Sequence, residues 1–279
     1  MDYRTVITDL IPYIIKASLE IKRIYRESFD VTIKSDGSPL TKADLISNEI
    51  IVSGIRHLYP EYSILSEEMA DDRSRLENDK GVFIIDPLDG TQEYVEHIDE
   101  FCVSIALAVD NEIVCGMVSV PTKDLIYYAS SGHGSYRVSF DDCNDFHYGI
   151  GERIHVSRRR KNLIMLLSRS HLEKENDEIL SRNAGRIKEY LEVGSCLKGC
   201  MIAEGSADVH YKLSPGTKEW DTAGIQIIVT EAGGIFEKPN GEVIKANRED
   251  FRNTDGYMIL NSRDSRLFIP GHAEHHSAR

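Results

Sequence analysis

The chain has 279 residues, 41% of them hydrophobic and 28% charged, the balance of an ordinary soluble globular protein with ample material for a core. A formal net charge of −13 without any basic stripe excludes a nucleic-acid polymer as partner. No run approaches the roughly 18 apolar residues a membrane span needs, and the first residues carry no signal-peptide pattern, so a cytoplasmic protein without a transmembrane segment is expected.

Apolar residues recur at helical spacing between 3 and 29 (Val6, Leu10, Ile14, Ala17, Ile21, Ile24), which predicts a long amphipathic helix with Pro12 as a candidate kink. Val31 to Lys34 reads as a short strand and Ser35 to Pro39 as a turn. Thr41 opens a second helix running to about Leu58, and Asp44, three residues on, is placed to close a capping box. Ser63 to Ser66 is strand-like and ends at Glu67-Glu68; a charged loop, Asp71 to Lys80, follows.

Val82-Phe83-Ile84-Ile85 then reads as a strand buried on both faces. It ends in Asp86, and Pro87 is expected to stop it, since proline removes a ladder donor. Asp89, Gly90 and Thr91 lead into a short helical pattern, Gln92 to His97. Two carboxylates and a helix N-terminus thus meet at the carboxyl end of a strand. Like charges so placed ask for a cation between them, and free helix N–H groups ask for an anion. A divalent metal on Asp86 and Asp89, with a phosphate bridging to the N–H groups of Gly90 and Thr91, meets both demands. Taken alone, the motif also reads as an Asx turn capping a helix.

Phe101–Val109, Ile113–Val120 and Leu125–Ser130 suggest an antiparallel meander. Residues 139–150 form an acidic loop and a candidate subdomain boundary. Beyond it strands and helices alternate: Leu163–Leu167, Glu173–Arg182, Ile187–Leu191, Ser195–Glu204, Val209–Leu213, Asp221–Ala232 closed by Gly233-Gly234, and Tyr257–Leu260. Five scattered cysteines fit a reducing compartment, and Cys196 and Cys200, four apart, read as core residues rather than a zinc pair. His272, His275 and His276 read as part of a frayed tail.

Two further carboxylate motifs stand out: Ser66-Glu67-Glu68, which ends a strand as Asp86 does, and Glu219-Trp220-Asp221-Thr222-Ala223, which opens an apolar helix. Each alone has a plain alternative, a solvated loop or a helix cap. Spacing excludes two other carboxylate chemistries. Counted from Asp86, the sixth and twelfth positions are Thr91 and His97, so no calcium EF-hand fits. Asp86 and Asp89 are three apart rather than two, which disfavours an aspartyl-phosphate nucleophile of the haloacid dehalogenase type.

Asp86-Pro87-Leu88-Asp89-Gly90-Thr91, with Trp220-Asp221-Thr222-Ala223 through Glu231-Ala232-Gly233-Gly234, resembles the two signatures of the inositol monophosphatase-like superfamily of magnesium-dependent, lithium-sensitive phosphomonoesterases. Ser66-Glu67-Glu68 and Ser38–Asp44 match its upstream motifs, so the resemblance spans roughly residues 5 to 262. Lys34–Pro39, Gly90–Tyr94, Gly194–Lys198, Ala203–Asp208 and Lys218–Ala223 are most similar to its 3′(2′),5′-bisphosphate nucleotidase branch, of the CysQ type. Gln92 stands where that branch has Lys, and Gly224 where Ala is common.

The resemblance implies an α-β-α-β-α layered sandwich, α+β with an antiparallel sheet in the first half and a mixed α/β layer in the second. It implies one catalytic unit of two parts, 1–150 carrying most metal ligands and 151–279 carrying Asp221 and substrate residues. By the same resemblance Glu67, Asp86 and the Leu88 carbonyl hold one Mg²⁺, Asp86, Asp89 and Asp221 a second, and a third shares Glu67. Thr91, bonded to Asp44, takes the proton of the attacking water. Glu67, Gly90, Thr91, Ser195, Lys198, Glu219 and Asp221 face the substrate, a small phosphate ester: a nucleoside bisphosphate, or alternatively inositol monophosphate or fructose 1,6-bisphosphate. A catalytically silent metal- or nucleotide-binding regulator is the non-enzymatic alternative. Monomer and homodimer both occur among such proteins, and a peripheral place on the inner face of a membrane is compatible with the resemblance.

Overall fold

The computed structural model describes residues 2–27, 29–71, 73–170 and 175–271. The tail histidines and the first residues of the helix expected at Glu173 lie outside them. In chain order the described elements are α1 (Tyr3–Tyr25), β1 (Val31–Ile33), β2 (Pro39–Thr41), α2 (Lys42–Leu58), β3 (Ser63–Ser66), β4 (Val82–Asp89), α3 (Thr91–Val95), β5 (Cys102–Val109), β6 (Glu112–Val120) and β7 (Leu125–Ser130). Then come β8 (Gly134–Ser139), β9 (Glu152–Ile154), β10 (Leu163–Ser168), α4 (Asn176–Arg182), β11 (Ile187–Val193), α5 (Leu197–Ala203), β12 (Val209–Lys212), α6 (Glu219–Glu231), β13 (Ile235–Glu237) and β14 (Tyr257–Leu260).

Among the described residues, strands β3 to β9 pair in sequence order into one sheet, antiparallel except for the parallel pair β3–β4. A second, mixed sheet has the order β11-β10-β12-β14-β13. Side chains of β4 alternate between two cores, as a strand's period of two requires. Phe83 and Ile85 pack with the α1 and α2 stripe (Val6, Leu10, Ile14, Ile51, Ile55). Val82 and Ile84 turn to the other face, where Leu197, Ile225 and Ile228 of α5 and α6 join them. That layer also receives Leu166 and Ile259 from the second sheet, whose far face packs Met165, Val209 and Met258 against Ile179 of α4. The result is the expected α-β-α-β-α sandwich.

Two local expectations are corrected. Strand β4 does not stop at Pro87 but runs on to Asp89: Asp86 pairs with Ser104 and Asp89 with Cys102, so β4 carries one extra residue in a bulge. A bulge tolerates proline because that residue's missing N–H has no ladder partner to lose. The helix expected from Ser195 starts at Leu197, because Ser195 has a left-handed backbone (φ 54°). Strands β2, β8, β9 and β13 went unforeseen; β9, at 152–154, extends the first sheet past the acidic loop.

Gly224 has a packing reason. A Cβ there would lie 2.5 Å from Ser104 Oγ and 3.4 Å from the Met117 carbonyl oxygen, so its absence lets α6 lie close on β5 and β6. All five cysteines are buried free thiols, and no helix among the described residues is long and apolar enough to cross a membrane.

Candidate active site

Three chain segments bring carboxylates to one point. Strand β3 ends next to Glu67, the bulge at the end of β4 carries Asp86 and Asp89, and Asp221 sits in the first turn of α6. Oxygens of Glu67, Asp86 and Asp221 lie within 4.8 Å of one another. Asp86 is 1% exposed, and a single bond from the Leu88 N–H at 3.1 Å meets its carboxylate. Desolvation pushes its pKa well above the usual carboxylate range, and the facing Glu67, Asp89 and Asp221 push it further. Asp221, held by the Lys218 N–H at 2.7 Å, is pushed up to about 8 by desolvation and by Asp89 and Glu67. Asp89 is raised by desolvation, against the pull of Lys198 and of the Cys196 N–H that it accepts.

The donor set is all hard oxygen and carries excess negative charge, which fits a small divalent cation of the magnesium, manganese or calcium class and not a zinc or copper site. The Leu88 carbonyl borders the same cleft and accepts the Thr91 hydroxyl at 2.9 Å.

Thr91 is the first residue of α3. Its Oγ1 also lies 3.1 Å from Asp44 Oδ1, whose other oxygen accepts the Thr41 N–H at 2.8 Å and the Thr41 hydroxyl at 2.6 Å. The capping box on α2 therefore exists, and one carboxylate serves both it and Thr91. Burial holds the Asp44 carboxyl above the usual range, against the bonds from Thr41 and Thr91 that lower it. Gly90 turns the chain between bulge and helix with φ 88°, and a Cβ there would sit 2.9 Å from the Glu100 carbonyl oxygen, so glycine is required on both counts.

These groups border a cleft of about 1070 Å³ whose other walls come from the second sheet. Ser195 and Lys198 line it, as expected, but Lys198 is not a solvated helix lysine. It is 7% exposed, with its ammonium donating to the carbonyls of Val193 (3.1 Å) and Ser195 (2.8 Å). An ammonium has three N–H donors, so one remains for the cleft. Burial lowers its pKa, and Asp89 and Glu93 work against that.

Glu219 is not brought to the cleft. It is 3% exposed and its carboxylate accepts the N–H groups of Asn247 (2.7 Å) and Arg248 (2.8 Å) and the Arg248 guanidinium (3.0 Å). The two residues after it, Trp220 and Asp221, line the cleft.

Some groups went unsuspected. Lys34 pairs with Glu67 at 2.9 Å and Glu68 at 2.5 Å; burial lowers its pKa but the two carboxylates outweigh it and leave it raised. Lys34 opens one of the motifs noted above, yet nothing local announces a contact 33 residues away. Arg169, Lys212, Lys218 and Arg252 border the cleft with Lys198. Arg169 forks Glu100 at 2.7 and 2.8 Å, and Glu100 also accepts the Gly194 N–H at 2.7 Å, which ties down the loop carrying Ser195.

Comparison with known proteins agrees with this geometry. Residues 2–271 match the model of the inositol monophosphatase family. The 3′(2′),5′-bisphosphate nucleotidase CysQ of Salmonella typhimurium is 33% identical over 221 residues, 79% of this chain and 85% of that protein. The protein of the same name from Escherichia coli K12 is 32% identical over 225 residues, covering 80% and 86%. The crystal structure of CysQ from Bacteroides thetaiotaomicron, described as a bacterial member of the inositol monophosphatase family, superposes with a TM-score of 0.78 at 30% identity, over 93% of this chain and 98% of that one.

Proposed function

Because this chain belongs to the inositol monophosphatase family, we propose that it is a magnesium-dependent phosphomonoesterase whose substrate is a 3′(2′),5′-bisphosphate nucleotide, adenosine 3′,5′-bisphosphate giving AMP and phosphate. The observation that carries the reading is the cleft itself: convergent carboxylates on one wall and five cationic side chains, Arg169, Lys198, Lys212, Lys218 and Arg252, around the rest. A substrate with two separate phosphates suits such a division, one phosphate at the carboxylates through metal and the other on the cations. The names of the CysQ relatives support the same substrate class.

In this reading Glu67, Asp86 and the Leu88 carbonyl hold one Mg²⁺, and Asp86, Asp89 and Asp221 a second, with a third sharing Glu67. Bound there, the ions supply charge neutralisation of the phosphoryl group and a more acidic water. The chain's own residues do the rest. Thr91 stands where it hands its hydroxyl proton to Asp44 as it takes one from the attacking water, and the raised Asp44 carboxyl is the better acceptor for being buried. The water oxygen bonds to phosphorus, the bond to the 3′ oxygen breaks, and that oxygen takes a proton from a solvent water as it leaves. The N–H groups at Gly90 and Thr91 face the phosphate as helix α3 begins. Lys198 and Ser195 then meet the second phosphate or the base. The two parts, 1–150 and 151–279, act as one unit, since Asp221 completes a cluster begun on the first sheet.

Phosphate release from adenosine 3′,5′-bisphosphate, inositol 1-phosphate and fructose 1,6-bisphosphate, each with Mg²⁺, tests this. The first is expected to give the highest kcat/KM. Preference for either sugar phosphate would keep the phosphatase and remove the nucleotidase, and no release from any would favour a binding protein.

A further inference from the structure

We propose that Glu219 is a positioning residue: by gripping a polar strap formed by residues 247–253 and Arg75, it fixes the separation of Asp221 from Glu67 and thereby sets metal affinity. The inference rests on the reading of the carboxylates as a metal centre.

Glu67 and Asp86 are fixed by adjacent, hydrogen-bonded strands, β3 and β4. Asp221 arrives from a helix of the other half and approaches carboxylates that repel it. Something must hold the first turn of α6 in place. Glu219, two residues before Asp221, makes three bonds to Asn247 and Arg248. Arg248 continues to Asn253 Oδ1 at 2.7 Å, and Asn253 Nδ2 donates to the Lys218 carbonyl at 2.9 Å. Two backbone bonds close the clasp, Glu219 N–H to Phe251 O and Asn253 N–H to Thr217 O, both 2.8 Å. The whole first turn of α6 is thus wrapped by one loop.

The strap also reaches the other ligand. Asn247 Oδ1 accepts from Arg75 Nη1 at 2.7 Å, and its Nδ2 donates to the Arg75 carbonyl at 3.2 Å. Arg75 is 1% exposed and forks Asp71 at 2.9 to 3.1 Å. Asp71 stands four residues after Glu67. A continuous chain, Asp71–Arg75–Asn247–Glu219, therefore runs from just beyond Glu67 to just before Asp221. None of these four residues borders the cleft. A buried arginine that ties a segment four residues beyond one ligand to a loop gripping the residue two before another acts as a spacer. With the strap cut, repulsion moves Asp221 outward and the oxygen donors spread.

The test is calorimetric titration of Mg²⁺ into the full-length wild type, Arg248→Ala, Arg248→Lys and Arg75→Met, with Arg159→Ala as a control. Arg159 pairs with the buried Asp208 just before β12, and neither borders the cleft, so its loss is structural. Loss of outer partners of a metal site weakens binding about 10- to 100-fold. Arg248→Ala and Arg75→Met are expected at the lower end of that range, Arg248→Lys between them and wild type, and Arg159→Ala unchanged. The rate at saturating Mg²⁺ is expected to return close to wild type in each strap variant. Unchanged Mg²⁺ affinity in strap variants, or an equal loss in Arg159→Ala, would overturn the proposal. A wild type that binds no Mg²⁺ would instead overturn the metal centre itself. If Arg248→Ala does not fold, Arg248→Lys and Arg75→Met carry the comparison.

Discussion

Asp208 and Asp86 are both buried aspartates, 0% and 1% exposed, and the structure treats them in opposite ways. Asp208, just before the central strand β12 of the second sheet, accepts from Arg159 at 2.8 Å, the Ile164 N–H at 2.7 Å, Asn261 at 2.9 Å and the Ser157 hydroxyl. Asp86 accepts one N–H and otherwise faces carboxylates. Burying charge is costly unless it is paired and bonded. Asp208 meets that condition from within the chain, and Asp86 leaves it to be met by something from solution. A satisfied buried carboxylate marks architecture, whereas an unsatisfied one marks a place where binding energy has been reserved for a ligand.

The comparison breaks most visibly by exchange of charge. Asp86→Asn is expected to abolish phosphate release at saturating Mg²⁺ without loss of fold. Asp208→Asn is expected to keep its rate per folded molecule and lose about 1–3 kcal/mol of stability, since it leaves bonded donors without their charge. Activity and urea unfolding on the same two proteins read both effects.

Next in size is the proton path. Thr91→Ala should lower kcat by about 10²–10⁴-fold with little change in KM, because a proton relay acts in the transition state. A change in KM alone would make Thr91 a substrate-binding group.

Lys198→Ala comes third. A charge-assisted hydrogen bond contributes about 1.5–3 kcal/mol, so kcat/KM for adenosine 3′,5′-bisphosphate should fall about 10- to 200-fold. With 3′-AMP, which lacks the second phosphate, the loss should nearly vanish. Equal losses would mean that the two carbonyl bonds of Lys198, which hold the 193–195 loop, are its whole role.

A further effect is on pH dependence. Asp221 has a usual pKa of 3.8 and is pushed up to about 8 in the folded chain. Between those values the folded state binds more protons than the unfolded one, so metal-free stability falls as pH rises from about 4 to about 8 and levels above that. The difference between wild type and Asp221→Asn in urea midpoints across this range isolates the contribution, and a difference that stays flat would contradict it.

Much of this was legible locally. The two-faced strand at Val82–Ile85 and the capping box of Thr41 and Asp44 each announce themselves within a few residues, whereas the acids at Glu67, Asp86, Asp89 and Asp221 stand out only when their motifs are taken together. The misses share one physical cause, which is partners distant in sequence. Glu219 reads as one more acid beside Asp221 until Asn247 and Arg248 are seen to fold back on it. Lys34 follows a short exposed strand, β1, and nothing within a few residues of it points to Glu67. Pro87 reads as a strand end by propensity, yet the ladder with β5 carries the chain through it as a bulge. Short strands such as β9 and β13 form because a neighbour offers an edge, and their own three residues carry little pattern.

The most direct measurement is thermal unfolding of wild type and Asp86→Asn at pH 7.5, with and without Mg²⁺. If the carboxylates are held together against their own repulsion for the sake of a metal, Asp86→Asn melts above wild type without Mg²⁺ and below it at saturating Mg²⁺. A wild type that melts higher without metal and gains nothing from Mg²⁺ would contradict the account.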